Sequence, residues 1–127
     1  MSPQEKNRPT DAELEILAVL WDHGPSTVRQ VHEKLARPTG YTTVLKLLQI
    51  MTEKQFVVRD ESERSHVYTA KHRQGQMQKR LVKDLVDRAF AGAADKLVMQ
   101  ALSSRRLSEA ELANIRELLD DIEGKRT

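Results

Sequence analysis

The hydrophobic period of this chain changes once and then changes back, and that narrows its folds more than any other feature. Apolar residues recur at helical spacing through Leu14, Leu17, Ala18 and Trp21, through Val28, Val31 and Leu35, and through Val44, Leu47, Leu48 and Met51. The period then shortens to that of strands in Phe56-Val57-Val58-Arg59 and Ser65-His66-Val67-Tyr68-Thr69, with the polar run Asp60 to Arg64 between them. After His72 it is helical again. Three short helices, one β-hairpin and an all-helical tail follow from that order: a mainly α chain.

The helix ends are marked in the sequence. Thr10 and Glu13 have the S/T-x-x-E spacing of a capping box, and Gly24-Pro25 ends the first helix. Ser26-Thr27 caps the second, which stops before Pro38, and the third begins near Tyr41-Thr42. In the tail, Met77, Leu81, Val82, Leu85, Val86 and Phe90 form a stripe broken at Gly92, and Leu97, Val98, Ala101 and Leu102 mark a short helix. Ser108 and Glu111 make a second capping box, with Leu107 placed to staple to Leu112. The chain thus divides into an arm over residues 1–9, a unit over 10–72 and a helical region over 73–127.

Three helices in the tail are too few for a comfortable core of their own. Leu81, Leu85 and Phe90 on one helix, with Leu112, Ile115, Leu119 and Ile122 on another, would stay partly wet in a monomer. The spacing of that last set is an a/d seam, so a homodimer through these residues is expected, against the alternative that the tail folds back on the first unit.

Three helices and a hairpin in this order predict a winged helix-turn-helix. At 100° per residue the third helix turns Val44, Leu47, Leu48 and Met51 one way, and Thr42, Lys46, Gln49 and Glu53 the other. Glutamine can pair with adenine, threonine can meet a thymine methyl, and lysine can reach guanine or a phosphate. Thr42, Lys46 and Gln49 are therefore candidates for reading DNA, with Tyr41 and Thr43 placed for phosphates at the helix start. In the hairpin only Arg59 and Arg64 suit DNA, because Asp60, Glu61 and Glu63 would repel it. The net charge of +2 decides nothing as a total. Locally, the bases Arg29, Lys34, Arg37, Lys46, Lys54 and Arg59 outnumber Glu33 and Glu53, whereas the first helix holds Asp11, Glu13, Glu15 and Asp22.

Other chemistry finds little support. Cys 0 removes disulfides, thiolate metal sites and cysteine nucleophiles. His23, His32, His66 and His72 have no metal-ligand spacing, no Gly-rich phosphate loop exists, and Asp120 and Asp121 diverge on their helix. Neither an enzyme, a metal nor a cofactor is expected. No apolar run is long enough to span a membrane, so a cytoplasmic protein without direct membrane binding is the expectation. A protein–protein adaptor remains an alternative, as does a repressor that senses a small ligand.

Four stretches carry a resemblance: Thr10-Asp-Ala-Glu-Leu-Glu-Ile-Leu-Ala-Val-Leu-Trp21, Tyr41-Thr-Thr-Val-Leu-Lys-Leu-Leu48, Arg64-Ser-His-Val-Tyr68, and Leu107-Ser-Glu-Ala-Glu-Leu112. In their order and spacing the chain resembles the penicillinase-repressor (BlaI/MecI) family of bacterial winged-helix repressors, from Pro9 to about Glu123. The resemblance implies a homodimer joined by the tail, a palindromic operator in double-stranded DNA, and repression of the genes behind it. It places the recognition helix at Tyr41 to Lys54. In antibiotic-responsive members a membrane metalloprotease sensor starts a signal that ends in cleavage of the dimerisation region. The equivalent bond here is Gln100-Ala101, where those members have Asn-Phe. The copper-responsive branch uses a C-terminal cysteine motif, which this chain lacks. Relatives usually close the third helix with glycine where this chain has Gln55.

Overall fold

A computed structural model describes residues 8–126. The expected arm lies mostly outside them, and within them Pro9 is already buried. The elements are α1 (Asp11–His23), β1 (Ser26–Thr27), α2 (Val28–Lys34), α3 (Tyr41–Glu53), β2 (Val57–Asp60), β3 (Val67–Ala70), α4 (Gln74–Ala89), α5 (Ala94–Ser103) and α6 (Glu109–Arg126). Two compact units divide at Val82 and Lys83.

The first unit is a winged helix. Its three strands run in the order β1-β3-β2, both pairings antiparallel. The hairpin β2–β3 is the expected wing, shifted by one or two residues from the sequence reading. Strand β1 is not expected from the sequence at all: Ser26 pairs with Tyr68 and Thr27 with Val67. Two residues carry no period, and both also suit a helix cap. Thr27 does both jobs, accepting from the Gln30 N–H at 3.2 Å while Gln30 Oε1 accepts from the Thr27 N–H at 2.9 Å.

The core joins Ile16, Leu17 and Leu20 of α1, Val31 of α2, and Val44, Leu48 and Met51 of α3 to Phe56, Tyr68 and Met77. The inner face of α1 differs from the expected one. Ala18 is exposed, whereas Ile16 and the carboxylate of Glu13 are buried. The first turn of α1 is capped by Thr10 and Glu13 in both directions, as its spacing predicts. Trp21 lies over the end of the unit, donating its indole N–H to the His72 carbonyl at 2.9 Å. Beyond the His72 boundary read from the sequence, Met77 is buried and Leu81 packs against the same core, so the first turns of α4 belong to this unit.

In the second unit no side chain from Lys83 to Lys125 is buried. The start of α6 is well made: the Glu111 N–H donates to Ser108 Oγ at 3.1 Å and the Ser108 N–H to Glu111 Oε1 at 3.0 Å. Glu111 also forms a short ion pair with Arg105, and these partners pull its carboxyl down to about 2. Among the described residues no helix is long and apolar enough to cross a membrane.

Candidate nucleic-acid interface

Helix α3 is fixed in rotation by one side. Val44, Leu48 and Met51 are each 0% exposed, so the helix cannot turn without uncovering three apolar side chains. At about 2–5 kcal/mol for each large side chain lost from a core, such a rotation is prohibitive. Thr42, Thr43, Lys46 and Gln49 consequently face solvent, together with Glu53. The structure thus brings four of the sequence candidates onto one exposed helical surface.

Both ends of α3 are tied down. Tyr41, 48% exposed, meets the ring of His32 edge-on at 5.7 Å and 78°. At the other end Gln55 takes φ +66°, the left-handed conformation usually given to glycine. Its N–H donates to the Thr52 carbonyl at 3.1 Å, and the Phe56 N–H donates to the Met51 carbonyl at 2.9 Å. This is a complete Schellman closure, with buried Phe56 and Met51 as its apolar contact. Glutamine takes the glycine position at a steric cost, and Lys71 Nζ donates to its Oε1 at 2.6 Å.

Electrostatics sorts the remaining candidates. Arg59 pairs with Glu61 at 2.6 Å, which removes much of its positive field from the wing. Asp60 is held below the usual carboxylate range by hydrogen bonds from Ser62, so the wing tip keeps its negative charge. Of the bases counted in the sequence, Lys54 is matched by Glu13, Arg37 by Glu15 and Arg29 by Glu33. Lys34, Lys46 and Arg64 have no ion pair among the described residues. Lys46 is therefore an uncompensated positive charge on the exposed face of α3.

Between α2, α3 and the wing lies an open cleft of about 360 Å³, lined among others by Arg29, Tyr41, Arg64, Ser65 and His66. Its walls meet because the β1–β3 ladder draws the start of α2 against the returning strand of the wing. Sequence reading finds Tyr41 and Arg64 but misses Arg29, Ser65 and His66, since only the unexpected β1 brings them together. Among the described residues there is no group of three His, Asp or Glu side chains able to hold a metal. The predicted interface residues fall on α4 and α6 except Phe90, which lies just past the end of α4 at Ala89. Leu85, Leu119 and Ile122 are about half exposed, and Phe90, Leu112 and Ile115 are partly buried. Leu81 differs, because the core of the first unit already covers part of it. Gln100 and Ala101 are exposed but lie inside α5.

Comparison with known proteins follows the same lines. The sequence profile of the Penicillinase repressor family matches residues 9–121. The chain is 37% identical over 94 residues to the transcriptional regulator BlaI of Mycobacterium tuberculosis, covering 72% of this chain and 65% of that protein. It therefore spans just under two thirds of the length of this relative. It is 18% identical over 116 residues to the penicillinase repressor of Staphylococcus aureus, covering 90% of this chain and 92% of the other. Among solved structures, the YusO protein from Bacillus subtilis aligns with a TM-score of 0.50 at 18% identity, over 95% of this chain and 79% of that one.

Proposed function

The chain belongs to the penicillinase repressor family, and from that membership we propose that it is a dimeric transcriptional repressor that reads a palindromic operator with α3. The carrying observation is the division of that helix: three fully buried apolar residues on one side, and Thr42, Lys46 and Gln49 exposed on the other. Members of this family are repressors rather than enzymes, and the site needs no cofactor to bind a duplex.

In this reading Gln49 and Thr42 contact base edges in the major groove, Lys46 reaches guanine or a phosphate, and Tyr41 and Thr43 hold the backbone at the helix start. Arg64 serves the wing, and Arg59 contributes less because Glu61 occupies it. Dimerisation is supported by the second unit, which buries none of its own side chains from Lys83 to Lys125 and leaves Leu85, Leu119 and Ile122 half exposed. A second copy carrying the same stripes covers them, and two recognition helices on one duplex gain affinity that neither has alone. Release by a protease of a sensor pathway is the matching off-switch. Its bond at Gln100-Ala101 lies within α5, so the helix has to unwind locally before the chain can enter a protease cleft.

A fluorescence-anisotropy titration at fixed salt, with the operator found by selection and a scrambled duplex of equal length, tests the reading. Tighter binding to the operator is expected. Equal affinity for the two duplexes removes sequence reading, and no binding to either leaves a protein-binding module.

A further inference from the structure

The cleft between α2, α3 and the wing has a chemistry that the recognition surface alone does not use. Its lining offers the hydroxyls of Thr27, Tyr41 and Ser65, the imidazole of His66, and two guanidiniums, Arg29 and Arg64, with no carboxylate among the lining residues. A second open cleft of the unit, bounded by Thr52, Gln55, Val58, Arg59, Glu61 and Lys71, is different. There Glu61 holds Arg59 and Gln55 holds Lys71, so its cations are already engaged.

We infer that the first cleft seats a backbone phosphodiester of duplex DNA, with Arg29 and Arg64 closing on it from opposite walls and Tyr41 donating from the start of α3. This rests on the DNA-binding reading above and adds to it a site built by α2 and the wing. Three features favour a duplex backbone as the occupant. The cleft is continuous with α3, where Tyr41 and Leu45 of its wall lie about a quarter-turn from Thr42, Lys46 and Gln49. It is open to solvent, as a polymer strand requires. Its arginines are also easily recruited: Arg64 has no ion pair among the described residues, and the Arg29–Glu33 pair is an exposed i,i+4 pair of the weak kind. A phosphate is the stronger partner for a planar guanidinium, which can bind two oxygens at once. His32 takes a positioning role, since its ring meets Tyr41 edge-on and limits where the phenol can point. His66 adds a donor on the wing side.

The test uses the full chain and a specific duplex in which single phosphates are replaced, one at a time, by uncharged methylphosphonates. The wild-type protein is expected to lose about tenfold in affinity at one replaced position in each half-site, the size of a single charge-assisted contact. The Arg29→Gln, Arg64→Gln protein is expected to bind unmodified DNA more weakly, with a log K against log salt slope shallower by about 2. At the sensitive position it loses nothing further. Both residues are exposed, and an unchanged thermal melt verifies that the variant is folded. An unchanged slope, or the same loss at that position in both proteins, overturns the seat while leaving sequence reading by α3 in place. Displacement of DNA by inorganic phosphate beyond the effect of chloride at equal ionic strength overturns it in favour of a free-phosphate site. Absence of any duplex binding removes the DNA-binding reading and this inference together, whereas Gln49→Ala, which alters base preference but not the slope, separates the two.

Discussion

Lys54 and Glu13 meet across the first unit: the ammonium at the C-cap of α3 donates to both carboxylate oxygens of Glu13, at 2.9 and 3.2 Å. Glu13 is 1% exposed and simultaneously accepts from the Thr10 N–H at 2.8 Å, so one carboxylate caps α1 and anchors the end of α3. Lys54 also lies 5.6 Å from the centroid of Phe56, in cation–π range. Removing the cation strands a buried charge. Lys54→Met is expected to lower the unfolding free energy by about 2–3 kcal/mol, less than for a fully buried pair because Lys54 keeps some exposure. Lys54→Arg should recover most of the loss. Urea denaturation of the three proteins measures it.

Gln55 carries a steric cost that glycine avoids. Gln55→Gly should raise stability by about 1 kcal/mol, the left-handed penalty relieved less the exposed bond to Lys71 and the added chain entropy. Gln55→Ala keeps the strain, loses the bond and is expected to be slightly destabilising. Thermal melts of both variants decide, and a lower melting temperature for the glycine variant would show that the Lys71 contact outweighs the strain.

The apolar residues of α4 and α6 separate into two roles. Leu81→Ala removes a side chain packed on the first unit's core and should cost about 2–3 kcal/mol of that unit's stability. Leu119 is 52% exposed, so Leu119→Ala should leave the melt of the first unit alone and weaken self-association. Sedimentation velocity over a concentration series reads the second effect, and a wild-type chain that sediments as a monomer at micromolar concentration ends the dimer reading.

On α3, Gln49→Ala is expected to weaken operator binding by about 1–3 kcal/mol and relax preference at one base position. Lys46→Ala should instead weaken all duplexes alike and reduce the salt slope of the dimer by about 2, one for each half-site. Anisotropy titrations at several salt concentrations distinguish the two behaviours.

The start of α6 should respond to acid. Glu111 has its carboxyl lowered to about 2 in the folded chain, so the unfolded chain takes up its proton first as pH falls. Its stabilising effect is complete above the ordinary glutamate pKa of about 4.3 and is lost as pH falls from there through 2. NMR titration of the Glu111 carboxyl should give a midpoint near 2, and Glu111→Gln should abolish the acid-dependent fraying of Ser108 to Leu112.

Much of this was legible from residue order. Thr10 with Glu13 and Ser108 with Glu111 announce helix starts because a capping box is local, made within four residues. The exposed face of α3 is legible for a similar reason: an apolar stripe at 3.6-residue spacing defines its opposite side. What escaped the sequence is contact over distance. Ser26-Thr27 is too short to show a strand period and needs β3 to become a strand. The capping box singles out Glu13 from Glu15, but nothing local shows that Glu13 is buried against Lys54 while Glu15 meets Arg37 on the surface. Ala18 is exposed and Ile16 buried because α1 packs one residue out of phase with the stripe that the sequence suggests: Glu13, Ile16, Leu17 and Leu20 face inward instead of Leu14, Leu17, Ala18 and Trp21. The Arg29 and His66 walls of the cleft depend on β1, and so they were missed with it.

The indole of Trp21, held by the carbonyl of His72, gives this chain a built-in optical probe. It is the single tryptophan of 127 residues, and its partner lies just ahead of the helix that leads out of the first unit. Its emission therefore reports whether that junction is closed, without a label and without interference from the second unit. Duplex binding, subunit exchange and proteolytic nicking can each be followed by whether the signal at Trp21 moves with them or stays still.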